Sequence, residues 1–83
     1  MSRSSLEIQA WCVSYLANLL HVPEASIKVD LDFDRHGLDS ALAVAMIMEL
    51  EEFTGMGISP SVLFEHPNIR ALAAHLSQRA VEA

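Results

Sequence analysis

The chain has 83 residues, with eleven acids against five bases for a formal charge of −6, and is 52% hydrophobic with few aromatics. That length bounds one small domain, expected over residues 1–83 with its core at about 5–79, and the composition excludes disorder. The charge argues against nucleic acid and membranes as partners and for a basic protein surface; without a leader-like segment or an apolar run near the roughly 18 residues of a membrane span, the chain is expected to be cytoplasmic.

Ser4 or Ser5 caps a long first helix whose apolar period runs through Leu6, Ile8, Cys12, Val13, Tyr15, Leu16, Leu19 and Leu20. Its end at His21-Val22-Pro23 is ascribed to the proline, which disfavours helical geometry at the residue before it. Cys12 is the only cysteine. It falls in the stripe of Ile8, Cys12, Leu16 and Leu19 and is read as a buried core thiol rather than a reactive one. Trp11, at the stripe's edge, is expected to pack on the following loop rather than to stack a ligand.

From Val22 to Leu38 the helical period is lost, and Asp30, Asp32 and Asp34 alternate with Val29, Leu31 and Phe33. A lone strand would leave its backbone groups unsatisfied, so the reading is a long ordered loop. Ile27, Leu31, Phe33 and Leu38 are expected to pin it across the helices, with a turn at Glu24–Ile27. A calcium loop is disfavoured, because Arg35 stands where such a loop needs glycine and Ala41 where it needs its closing glutamate. No metal site is expected. His21, His66 and His75 match no zinc spacing and are read as structural or solvated.

Gly37-Leu38-Asp39-Ser40 opens a second helix running to Phe53 or Thr54, with Asp39 as cap and Gly55 as terminator. On a wheel of 100° per residue, Ala43, Met46, Ile47, Leu50 and Phe53 share a core face. Ser40, Val44 and Met48 form an outward row flanked by Ala41, Ala45, Glu49, Glu51 and Glu52. Small and apolar residues rimmed by glutamates read as a docking face; the alternative is a helix buried on more than one side.

Gly55-Met56-Gly57 reads as a flexible joint. Ser59-Pro60 offers a cap and a first helical position for a brief third helix through Val62, Leu63 and Phe64, broken at His66-Pro67. Asn68 caps a final helix in which Ile69, Leu72, Ala73, Leu76 and Ala80 recur at helical spacing, with Arg79 favouring its dipole. Residues Met1 to Arg3 and Ala80 to Ala83 are expected to be ragged ends. The whole reads as one up-and-down helical unit with a long first connection.

His36-Gly37-Leu38-Asp39-Ser40, with Leu63-Phe64-Glu65-His66-Pro67 downstream, resembles the acyl carrier proteins of polyketide and fatty-acid synthesis, polyketide-synthase carriers in particular, over about residues 5–79. The resemblance implies an all-α fold, a small four-helix bundle of three longer helices and one short one. It implies that Ser40 is esterified by 4′-phosphopantetheine, donated by coenzyme A through a phosphopantetheinyl transferase, with Gly37, Leu38 and Asp39 completing the motif. The arm then carries acyl groups as thioesters. Further implied partners are an acyl-loading enzyme (an acyltransferase or acyl-activating ligase), a ketosynthase and other synthase domains, meeting a monomeric, non-catalytic carrier. Ala41 stands where leucine is usual, a departure that bears on the partner surface.

Two alternatives remain. A peptidyl carrier of a non-ribosomal synthetase usually has two glycines where His36-Gly37 stands. An unmodified helical adaptor would use the Val44 and Met48 face to bind a partner helix. Autonomous hydrolysis is disfavoured, because His36 is the only histidine near Ser40 in sequence and the second glycine of a nucleophile elbow is missing. Arg35 reads either as a specificity contact or as an ion-pair partner of Asp32 or Asp34. Long acyl chains are a candidate to slip between the second helix, the third helix and Met56–Ile58, with Met46 and Met56 as adaptable fillers.

Overall fold

The computed structural model describes residues 3–82; of positions 80–82 it describes the backbone only, so the expected core role of Ala80 lies outside the described residues, as do Met1, Ser2 and Ala83. Four helices follow in order: α1 (Ser5–Leu20), α2 (Ser40–Thr54), the short α3 (Val62–Glu65) and α4 (Ile69–Glu82). Short 3-10 turns at Glu24–Ser26 and Phe33–His36 punctuate the long first connection. No strand occurs among the described residues, only an isolated antiparallel bridge between Asp32 and Asn68. The fold is all-α.

Helix α1 starts on a reciprocal cap. The Ser4 hydroxyl accepts from the Glu7 N–H at 3.1 Å, and the Glu7 carboxylate accepts from the Ser4 N–H at 3.1 Å. The backbone bond from Ser4, ahead of its hydroxyl, holds the Glu7 carboxyl below the usual range. The helix ends where expected, at His21, but by a different cause. His21 itself takes the left-handed conformation (φ 57°, ψ 46°), and the N–H groups of His21 and Val22 both reach the Ala17 carbonyl. A local cap therefore stops the helix before Pro23 is reached.

The buried faces converge on one core. Ile8, Cys12 and Leu16 of α1 meet Met46, Ile47 and Leu50 of α2 and Ile69, Leu72, Ala73 and Leu76 of α4. Leu6 departs from the expected stripe, because it projects into solvent with 75% exposure. Trp11 also packs elsewhere than expected. It stacks on Tyr15 (5.1 Å) and on Phe53 of α2 (5.6 Å), and the Arg3 guanidinium covers the Phe53 ring at 4.2 Å. Arg3 is thus engaged rather than ragged; its Nε donates to the Phe53 carbonyl at 3.3 Å.

The long connection is ordered, as its apolar members predict. Ile27, Phe33 and Leu38 are buried, whereas Leu31 is only half-buried. Two backbone bonds lash the loop to the start of α4, from Phe33 N–H to the Pro67 carbonyl (2.8 Å) and from Arg70 N–H to the Val29 carbonyl (3.0 Å). They satisfy the groups that a lone strand would have left open. Asp30 pairs with Arg70 at 2.8 Å on the exposed surface, a contact of little energetic weight. Among the described residues Arg35 forms no ion pair with Asp32 or Asp34.

The Gly55–Ile58 segment is tethered, not flexible. Gly55 ends α2 at φ 70°, the Thr54 hydroxyl accepts from Met56 N–H, and the Glu51 carboxylate accepts from Ile58 N–H at 2.9 Å. Arg79 reaches across from α4 and donates to the Gly57 carbonyl at 2.9 Å. Helix α3 begins at Val62, two residues after the proline expected at its first position. Ser59, Pro60 and Ser61 instead form a turn in which the Ser59 carbonyl accepts from Val62 N–H. Asn68 caps α4 through its side-chain oxygen, which accepts from Ala71 N–H at 2.8 Å.

Burial of Cys12, which is fully enclosed, pushes its thiol up to about 12. Native protein is therefore expected to react with iodoacetamide at pH 8 far more slowly than unfolded protein, in which about a tenth of the thiol is ionised. Between about pH 9.0 and about 12 the unfolded chain has released this proton and the native chain retains it. Stability therefore falls as pH rises through that window. Alkylation rates and alkaline melting of wild type against Cys12→Ala check both expectations.

Candidate functional site

The motif residues are placed by the second 3-10 turn and the helix it feeds. Gly37 lies at φ 96°, where a side chain would find open space, so its constraint is purely of backbone conformation. The turn lets Leu38 point into the core at 7% exposure while Asp39 and Ser40 stay outside. Asp39 is the cap of α2, its Oδ1 accepting from Leu42 N–H at 2.9 Å. Asp39→Ala is expected to cost about 1 kcal/mol, read as a lower thermal midpoint with the same helical spectrum.

Because Asp39 does the capping, Ser40 is left unused. It is the first residue of α2, is exposed, and among the described residues its hydroxyl has no hydrogen-bond partner. The N–H groups of Leu42 and Ala43 are both taken by Asp39. Those of Ser40 and Ala41 have no partner among the described residues. A phosphodiester on the Ser40 oxygen fits these residues: its charge would face open N–H groups at the positive end of a 15-residue helix, opposed by the adjacent Asp39 carboxylate and, more weakly, by Asp32 and Asp34 along the same groove.

His36 does not serve Ser40. Its Nε2–H donates to the Lys28 carbonyl at 2.9 Å, and the half-buried ring braces the long loop rather than standing free beside the serine. No group of three or more His, Cys, Asp or Glu side chains is arranged to hold a metal ion among the described residues.

The outward row of α2 is where the spacing predicts it. Val44 is 40% and Met48 62% exposed, and Ala41, Ala45, Glu49 and Glu52 are exposed around them. Glu51 stands apart from this group. It is half-buried, and its carboxylate is spent on Ile58 N–H.

A groove of about 380 Å³ runs from Ser40 between the long loop, α2 and α3, with Leu38, Val44, Leu63 and Phe64 among its walls. Of the residues expected beside an acyl passage, Met46 and Ile58 are buried in the core and Met56 is half-buried. The exposure of Phe64 has a signal in the sequence that the helical reading passed over. Three consecutive apolar residues on one helix turn through 200°, so Val62 and Phe64 cannot both face inward.

A small helical bundle with a bare hydroxyl at the start of its second helix is a scaffold for covalent carriage. Residues 11–76 match the family described as a phosphopantetheine attachment site, and the chain belongs to that family of non-catalytic carriers. It is 39% identical over 64 residues to a phenolphthiocerol/phthiocerol polyketide synthase of Mycobacterium tuberculosis, a match covering 77% of this chain and 3% of that protein. The chain thus spans a small fraction of the synthases it matches.

Among solved structures it is similar to an acyl carrier protein from Anabaena sp. PCC 7120 with a variant phosphopantetheinylation-site sequence (TM-score 0.88, 29% identity, 95% of this chain and 91% of that one). It is also similar to a free-standing peptidyl carrier protein from Acinetobacter baumannii (TM-score 0.85, 28% identity, 93% and 96%). The backbone is common to both kinds of carrier. No helix among the described residues is long and apolar enough to cross a membrane.

Proposed function

We propose that Ser40 is the attachment point of the phosphopantetheine group and that the chain acts as one monomeric, cytoplasmic acyl carrier domain of polyketide or related lipid assembly. The observation that carries this reading is the unpartnered, exposed Ser40 hydroxyl at the N-terminus of α2. When bound, the group supplies a mobile thiol that holds acyl chains as thioesters. Likeness to a polyketide synthase supports the acyl class. The partners are a phosphopantetheinyl transferase, an acyl-loading enzyme, and a ketosynthase with the other domains of a synthase.

The chain's own residues do three things. Ser40 provides the oxygen that attacks the coenzyme A diphosphate: an O–P bond forms, the bond to 3′,5′-adenosine diphosphate breaks, and the hydroxyl proton passes to a base of the transferase. Asp39 fixes the helix start through Leu42 N–H and leaves the Ser40 and Ala41 N–H groups free for the anion. Val44 and Met48, with Ala41, Ala45, Glu49 and Glu52 around them, offer an acidic-rimmed apolar face to a basic partner, with Glu51 holding the end of the helix that bears it. Tethering raises the effective concentration of the acyl group at each partner site.

Intact mass after incubation with coenzyme A and a broad-specificity transferase tests this reading. A gain of one phosphopantetheinyl group, mapped by fragmentation to Ser40, is the expected result. No gain by a folded chain, with a control carrier modified in parallel, would move the assignment to an unmodified adaptor. The peptidyl-carrier reading draws support from the likeness to the A. baumannii protein. Loading of the modified chain with malonyl but not aminoacyl groups would set it aside.

A further inference from the structure

Phe64 is the most exposed of the large apolar side chains among the described residues, at 89%, and the fold makes no use of it. Helix α3 is held by buried Val62 and half-buried Leu63, and ends on a bond from His66 N–H to the Val62 carbonyl. The ring stands on one wall of the groove whose opposite wall carries Ser40 and Val44. An enzyme that approaches the Ser40 oxygen along this groove meets Phe64 on its way.

The charges around the groove say what kind of surface that is. Asp32, Asp34 and Asp39 line it, and among the described residues none of them pairs with a cation. A transferase is suited to it, because the site that grips the phosphates of coenzyme A is cationic and must be brought against these carboxylates.

Taking Ser40 as the attachment point, we propose that Phe64 is a docking anchor for the phosphopantetheinyl transferase, its ring entering an apolar socket ringed by basic residues while the same surface covers Val44. Aromatic anchors of this kind carry a large share of binding energy in protein interfaces. Their loss shows mainly in affinity, not in the chemical step.

Steady-state modification by a broad-specificity transferase, followed by intact mass, tests it with wild type, Phe64→Ala and Leu6→Ala. Leu6 is a comparably exposed apolar residue on α1, outside the groove. Phe64→Ala is expected to raise the KM for the carrier about tenfold with kcat unchanged, while Leu6→Ala matches wild type. Both variants keep the helical spectrum because both side chains are in solvent. A wild-type KM for Phe64→Ala, a loss confined to kcat, or an equal loss in Leu6→Ala overturns the proposal alone. Absence of any mass gain in wild type, with the control carrier modified, overturns the Ser40 assignment and the docking role together.

Discussion

Ser40→Ala is expected to abolish the mass gain completely while leaving stability within about 0.5 kcal/mol of wild type. The two effects separate because the structure divides the labour at the start of α2. The cap is the Asp39 carboxylate, bonded to Leu42 N–H, and the Ser40 hydroxyl bonds to nothing among the described residues. Alanine is at least as good a helix former at that position. Equal thermal midpoints with full loss of modification is the result to look for. Residual modification of Ser40→Ala would place the group on another hydroxyl, and a lowered midpoint would give Ser40 a structural role that its geometry does not indicate.

Leu50→Ala is expected to be the most damaging of the conservative core truncations in α2. Leu50 is fully enclosed and belongs to the cluster that joins α1, α2 and α4. Removing its branched end costs about 3 kcal/mol, from lost transfer energy and the cavity left behind. A domain this small has a total stability on the order of 4–12 kcal/mol, so the change removes a large part of it. The midpoint should fall by roughly 12–24 °C. Met48→Ala, on the outward row of the same helix, is expected to stay within about 0.5 kcal/mol. Denaturant melts of the pair check this; similar losses for both would mean that Met48 is buried in solution.

The site and the frame were legible because local rules decide them. A glycine at positive φ, an aspartate cap and a following apolar period mark the start of α2 wherever they occur together, and Ser40 follows from counting one residue past the cap. The core faces of α2 and α4 followed from helical spacing alone. Met46, Ile47, Leu50, Ile69, Leu72 and Leu76 are all buried. The outward row of Ser40, Val44 and Met48 came from the same arithmetic.

What spacing could not supply was the partner of each side chain. His36 follows the loop because the Lys28 carbonyl is within reach, and Glu51 leaves the exposed rim of α2 because the Ile58 N–H lies beside it. Neither contact is local enough to read from periodicity. Trp11 settled on Phe53 rather than on the loop for a related reason: only the packing of α1 against α2 brings those two rings together.

The sequence by itself therefore determined the helices, their inner faces and the serine that stands free, because these depend on interactions within about one turn of chain. Only the tertiary structure decided that Phe64 and Ser40 share one groove and that the glycine joint is tied down from α4 by Arg79. Those relations join residues more than twenty positions apart, and no rule of spacing reaches across a gap that only packing closes.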